Sequence, residues 1–240
     1  MSASSGVRAP APGGPAGDLL AGLFDPPVEA AAAPPQAHLA DLAAGERTLV
    51  AKAVESRQRE FAQGRLLARS LLARLGVAGS PLLRDDDRVP RWPAGSVGSI
   101  SHTQGLCGVA VARTDEVEAV GLDLELATPL RPELRARVCT PAERGWLEGL
   151  AAAEAGRYGK AFFSVKECVY KACFPRLRER WGFQDLEVEL DLPTGGFVAV
   201  PREGGLAGQR LAGRIAARGR WWLSALTLRT AQPRGSPLRP

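Results

Sequence analysis

Histidine, cysteine and methionine are all scarce: 240 residues carry two His, four Cys and one Met. The cysteines, Cys107, Cys139, Cys168 and Cys173, form no CxxC pair. That excludes a zinc finger and argues against a disulfide scaffold. In a chain without a secretory leader they read most simply as reduced thiols of the cytosol, so a cytoplasmic protein is expected. Long apolar runs are missing too. Arg, Asp or Gly interrupts each one before the ~20 residues a bilayer span needs, so no membrane span is expected. Nor is the charge one-sided. Against 26 acidic residues stand 31 basic ones, a net of +5, which is too modest for a protein that coats DNA. The great majority of the basic residues are Arg, whose planar fork grips phosphate. The balance therefore favours an anionic partner: nucleic acid, a phosphorylated cofactor or an acidic protein surface.

What is present suffices for a core. With 45 % hydrophobic and 24 % charged residues, the chain fits one compact domain or two small halves of about 120 residues each. Residues 1–17, rich in Ala, Pro, Gly and Ser, read as a disordered leader, and residues 231–240 as a disordered tail. Asp41 to Gly76 is the longest helical tract: Phe61, Gly64, Ala68, Leu71, Leu72 and Leu75 share one face, and Gly76 is the expected stop. Gly79 to Ser96 is loop-like, and its Asp85-Asp86-Asp87 run reads as a solvated turn. Strands are expected at Val97–Ser101, Leu106–Ala112 and Val117–Leu126. Thr140-Pro141-Ala142-Glu143 is a capping box that starts a helix. A further helix runs from about Arg157 to Cys173, bounded by Pro175. Strands return at Leu186–Leu190, Phe197–Val200, Leu211–Ala217 and Trp221–Leu228. The order is helix, strands, helices, strands, an α+β pattern of two halves, 18–118 and 119–230.

Four segments carry chemistry. In Val-Gly-Leu-Asp-Leu-Glu (120–125), alternate strand residues share a face. Asp123 and Glu125 therefore project together, about 7 Å apart at the backbone, while Leu122 and Leu124 enter the core. Such a pair repels itself unless a cation or proton intervenes, and a hard divalent ion suits it; an exposed strand edge presents the same pattern. On a helix, Ser164, Glu167 and Lys171 fall on one stripe. Glu167 and Lys171 are either a surface ion pair or, on a helix this apolar, functional. Lys166 lies off that stripe and either orients Glu167 or is structural. Ser99, Ser101 and His102, in Ser-Ile-Ser-His-Thr (99–103), offer hydroxyls and an imidazole to an anion, whereas His38 in its Ala/Pro-rich setting reads as incidental. Arg57, Arg59, Arg65, Arg69 and Arg74 line the first helix, as a solvated face or a phosphate-binding one, and Gly64 permits close approach of a ligand or another backbone.

Arg-x-x-Glu-Phe-x-x-Gly-Arg (57–65), Ser-Ile-Ser-His-Thr (99–103), Val-Gly-Leu-Asp-Leu-Glu (120–125) and Phe-Ser-Val-Lys-Glu-Cys-Val-Tyr-Lys (163–171) occur in the order and spacing of one family. Over about 46–228 the chain resembles the Sfp-type 4'-phosphopantetheinyl transferases, most of all the branch of enterobactin synthase component D. The resemblance implies two similar α/β halves in pseudo-twofold arrangement, with coenzyme A and Mg²⁺ in the cleft between them. It implies Asp123, Glu125 and Glu167 as metal carboxylates and Glu167 and Lys171 as the catalytic pair. It also implies Arg57, Arg65, Ser99, Ser101, His102 and Lys171 as coenzyme contacts. In the loop Arg84–Pro93 the family's Gly before Pro-x-Trp-Pro is absent, which leaves Arg84, Arg88 and Arg91 as alternatives for a further contact. The implied reaction moves 4'-phosphopantetheine from coenzyme A to a serine of an apo acyl or peptidyl carrier protein and releases 3',5'-ADP. Two halves in one chain need no partner to form the cleft, so a monomer is expected. The competing reading is a small basic nucleic-acid-binding domain built on the Arg-rich helix; it leaves the three carboxylates without a role.

Overall fold

Among the described residues, 19–78 and 81–230 of the computed structural model, every strand pairing within the sheets is antiparallel. The expected leader and tail lie outside the described residues. Strands β1 (Glu29–Ala33), β2 (Ser96–Thr103) and β3 (Leu106–Arg113) form one sheet in the order β1-β3-β2. Strands β4 (Val117–Leu126), β5 (Leu186–Asp191), β6 (Gly196–Pro201), β7 (Leu211–Arg218) and β8 (Trp221–Arg229) form a second, in the order β4-β8-β7-β6-β5. The seven expected strands are present, each within two residues at its ends. β1 is an addition. Its sequence, Glu-Ala-Ala-Ala-Ala, has no intrinsic preference for a strand; pairing with β3, from Glu29 opposite Val111 to Ala33 opposite Cys107, makes it one.

The helices depart more from expectation. The tract 41–76 is not continuous. A short α1 (Ala44–Thr48) and a long α2 (Glu55–Arg74) are separated by a loop whose carbonyls at Val50, Ala51 and Ala53 accept from the Gln58 side-chain amide. Burial of Leu42 and Val50 against Phe61 and Ala62 folds α1 back on α2, and no Gly or Pro announces that break. Gly76, at φ 71°, does stop the helix. A helix α3 (Pro132–Val138) precedes α4 (Pro141–Glu148). The latter opens on the expected box: Glu143 N–H donates to Thr140 Oγ1 at 3.3 Å and Thr140 N–H to Glu143 Oε2 at 2.8 Å. α5 runs from Ala152 to Leu177, so Pro175 lies inside its final turn and does not end it. The stop is Arg178, left-handed at φ 59°, whose N–H reaches the Phe174 carbonyl at 2.9 Å.

α2 covers the three-stranded sheet, burying Ala68, Leu71 and Leu72 against Val109 and Val111. α5 covers the five-stranded sheet with Phe162, Val165 and Val169 against Phe197, Ile215 and Leu226. A third cluster, including Leu106, Ala110, Val120, Leu122 and Leu223, joins the two sheets and also takes in Leu20 and Leu23 from the segment before β1. β2 and β4 meet there without a backbone ladder. Ser hydroxyls replace it: Leu122 N–H donates to Ser99 Oγ at 3.0 Å and Leu124 N–H to Ser101 Oγ at 3.1 Å. Two buried amides are thereby satisfied across the seam. Gly121 brings α5 down onto β4, since a Cβ there would stand 2.3 Å from the Cys168 carbonyl oxygen. All four cysteines are buried and free of disulfides.

Candidate active site

α2, β2, α5 and the loop before β2 enclose a cleft of about 320 Å³. Arg57, Arg65, Arg84, Arg88, Ser99, His102 and Lys171 all line it, together with Glu60, Phe61, Tyr170 and Arg180. Arg91 does not line it, so of the three alternatives in that loop Arg84 and Arg88 face the cleft.

The α2 wall follows from helical spacing. Arg57, Phe61 and Arg65 stand four residues apart and share a face. Arg65 is buried, its Nε donating to the Leu82 carbonyl at 2.9 Å and its guanidinium lying 4.1 Å from the centre of the Phe61 ring. Burial pulls its pKa down to about 10, against the pull of Glu46, so it stays cationic. Glu46 is fully buried. It accepts from Arg69 Nη1 at 3.0 and 2.9 Å and from the Leu82 N–H at 2.9 Å. Leu82 is thus held at both its N–H and its C=O, which plants the loop carrying Arg84 and Arg88. The Asp85–Asp87 run is more than a solvated turn. Asp85 pairs with Arg178 at 2.7 Å and Asp87 with Arg180 at 2.6 Å, tying the loop to the segment after α5. Gly64 serves the helix–sheet approach and not a ligand, with Ile100 Cγ2 3.1 Å from where its Cβ would be.

The remaining α2 arginines are engaged within the chain: Arg59 with Glu55 at 2.5 Å, Arg69 with Glu46 and Arg74 with Glu29 at 2.5 Å. His102, by contrast, faces the cleft, with Nε2 against Arg57 Nη1 and Nδ1 3.1 Å from Glu60 Oε2. Burial, then the Arg57 and Lys171 charges, lower its pKa to about 4. His38 plays no part in the cleft.

The C-terminal wall carries the carboxylates. Leu122 and Leu124 are fully buried in the core, as the alternation along β4 requires. Asp123 is buried on the other face; its Oδ1 accepts from Lys171 Nζ at 2.6 Å and from Ser101 Oγ at 3.2 Å. Ser101 spends its whole capacity here, donating to Asp123 while accepting from Leu124 N–H and, at 3.0 Å, from Lys171. It lies beneath the cleft and does not line it. Burial opposes the charge on Lys171, but the Asp123 carboxylate more than offsets this and its pKa is raised. Glu125 pairs with Lys160 at 3.1 Å; burial and Asp123 push its pKa up. Glu167 is pushed up by burial and by Asp123 and Glu125, with Lys171 opposing. It lines a second cavity of about 240 Å³ with Trp181, Phe183 and Leu186, and Tyr170 stands between the two spaces. Two neighbours are structural. Ser164 hydrogen-bonds the buried Ser224 at 2.9 Å. Lys166 is buried against Glu143 at 2.8 Å and the carbonyls of Val138 and Phe183, each at 2.8 Å, which excludes it from orienting Glu167.

Asp123 Oδ2 is buried and has no hydrogen-bond partner. With Glu125 and Glu167 it makes an all-oxygen donor set carrying more negative charge than the two lysines neutralise. Among the described residues no three such side chains close into a cage. Mg²⁺ does not need one, since it typically takes one or two carboxylates and completes its shell with water and phosphate. One or two of these carboxylates, with the unpartnered Asp123 Oδ2 among them, fit that ion. Lys160, Glu60, Tyr170 and Arg180 are site neighbours that sequence reasoning left out. Glu60 lies inside the first quoted motif, and its position three residues after Arg57 was the available signal.

Residues 45–112 match the model of the 4'-phosphopantetheinyl transferase N-terminal domain, and residues 119–210 that of the 4'-phosphopantetheinyl transferase superfamily. The chain belongs to this family, and its relatives are those of the Sfp type. It is 40 % identical to 4'-phosphopantetheinyl transferase Svp of Streptomyces mobaraensis over 73 % of this chain and 72 % of that one. It is 33 % identical to 4'-phosphopantetheinyl transferase Npt of Nocardia iowensis, over 75 % and 76 %. Enterobactin synthase component D of Salmonella typhi is 32 % identical over half of each chain.

Proposed function

We propose that this enzyme transfers 4'-phosphopantetheine from coenzyme A to a serine hydroxyl of an apo acyl or peptidyl carrier protein, releasing 3',5'-ADP. The observation that carries this reading is the abutment of a cationic pocket and an oxygen-rich carboxylate group, joined through Lys171, Ser101 and Asp123. Arg57, Arg65, Arg84, Arg88, Ser99 and His102 hold the phosphorylated nucleotide end. The cavity beside Glu167, walled by Trp181, Phe183 and Leu186, suits the uncharged pantetheine arm. Lys171, kept protonated by Asp123, stabilises charge on the pyrophosphate oxygens as the bond breaks. Glu167 takes the serine proton. Its raised pKa brings it nearer the working pH, where a general base is most effective. Asp123 and Glu125 would hold Mg²⁺, which when bound supplies charge neutralisation at the pyrophosphate. The cleft is complete within one chain, which supports a monomer, and the four free thiols suit a reducing, cytoplasmic setting.

The test is the intact mass of several apo carrier proteins after incubation with the enzyme, coenzyme A and Mg²⁺. A gain of one phosphopantetheine on a carrier is the expected result and names that carrier. No gain on any acyl or peptidyl carrier would overturn the reading.

A further inference from the structure

Glu60 is an anion on the very wall where, on the reading above, a phosphate binds. Its Oε2 lies 3.1 Å from His102 Nδ1 and 3.3 Å from Arg57 Nη1. A carboxylate in that position repels a phosphate unless it has another task. Counting donors identifies one. A guanidinium has donors only, and Arg57 Nη1 contacts His102 Nε2. In the free protein Nε2 therefore accepts, and the single ring proton sits on Nδ1, directed at Glu60. The other groups facing the ring are Lys171 from α5 and Cys107, its partner across the ladder on β3. Burial and Glu60 push the Cys107 thiol up to about 12, so it stays neutral throughout. Burial and the Arg57 and Lys171 cations keep the free imidazole neutral, with a pKa of about 4.

We infer that Glu60 is a positioning residue that makes His102 a proton-coupled phosphate ligand. The 3'-phosphate of coenzyme A takes the Arg57 N–H groups and frees Nε2. His102 then binds one proton from solvent at Nε2 and donates it as a hydrogen bond to a phosphate oxygen. Nδ1–H remains on Glu60, so the new imidazolium lies between two anions, each offsetting the cations that disfavour it. This rests on the proposed placement of the coenzyme's phosphate in the cleft.

Calorimetric titration with coenzyme A at pH 7.5, in buffers of different ionisation enthalpy, counts the protons. At that pH a phosphate monoester, with a second pKa of about 6, is already almost wholly dianionic and contributes little of its own. The expected result is uptake approaching one proton per coenzyme A and none with dephospho-coenzyme A. Glu60→Gln keeps an acceptor for Nδ1–H but removes the charge. It should abolish the uptake and weaken coenzyme A by roughly tenfold. A far-UV circular dichroism spectrum and a urea midpoint matching wild type serve as the control for folding. A merely repulsive or structural Glu60 predicts the opposite, coenzyme A binding as well or tighter in Glu60→Gln, and that result overturns the inference. So does zero uptake by the wild type while it still prefers coenzyme A to its dephospho form. Equal binding of the two ligands, lowered equally by His102→Ala, would instead remove the phosphate from this corner and the inference with it.

Discussion

The two halves use one plan, a long helix over an antiparallel sheet, to opposite chemical ends. α2, on three strands, brings Arg57 and Arg65 to the cleft and locks the cation-bearing loop through Glu46 and Leu82. α5, on five strands, brings Glu167 and Lys171 beside the β4 carboxylates. The helices also sit differently. α2 meets its sheet at Gly64 through the end of an Ile100 side chain, whereas α5 meets β4 at Gly121 through main chain. A side-chain contact can yield and a backbone contact cannot. The half to which the proposed reaction assigns the reacting groups is thus the one whose helix height is set rigidly, as expected where positioning does most of the catalytic work. The half to which that proposal assigns the nucleotide end relies on charge, which tolerates more displacement.

The sharpest way to break that division is kinetic. Glu167→Gln should lower kcat by ~10²–10⁴-fold, and raising Mg²⁺ should not restore it. Arg57→Ala should raise KM for coenzyme A with little change in kcat. Full rescue of Glu167→Gln by Mg²⁺ would leave that residue a metal ligand and no base. Asp123 makes a poorer probe. Like-charge repulsion alone predicts that its removal is harmless to the fold, but its loss strips Lys171 of its partner.

The difference in helix seating is next in size. Gly121→Ala puts a methyl 2.3 Å from the Cys168 carbonyl and 3.1 Å from Ala172 Cβ, and should cost ~1–3 kcal/mol as overpacking. Gly64→Ala meets only Ile100 Cγ2, at 3.1 Å, and gains ~0.8–1 kcal/mol of helix propensity, so the net effect should be near zero. Urea midpoints distinguish them, and equal losses would show that both helices are seated alike. An effect of similar size to that at Gly121 tests the seam between the halves. Ser99→Ala leaves the buried Leu122 N–H without its acceptor, a loss of ~1–3 kcal/mol. A midpoint unchanged from wild type would mean that packing alone joins β2 to β4.

Much of this molecule is written locally. Strand alternation along 117–126 placed Asp123 and Glu125 on one face and Leu122 and Leu124 on the other because a strand's period is two whatever surrounds it. Thr140-Pro141 and Gly76 marked helix ends because capping and positive φ are decided within a few residues. Four short motifs in order identified the family, since each keeps its residue types and spacing. What stayed illegible depends on partners distant in sequence. β1 exists only because β3 pairs with it, and the break between α1 and α2 only because Leu42 and Val50 find Phe61. Lys166 and Lys171 stand five residues apart on one helix, with the same side chain. Tertiary structure makes one a buried strut on Glu143 and turns the other into the cleft against Asp123. A charge's role is set by what lies within a few ångströms of it, and the sheets and helices that choose those neighbours are assembled by contacts no local pattern records.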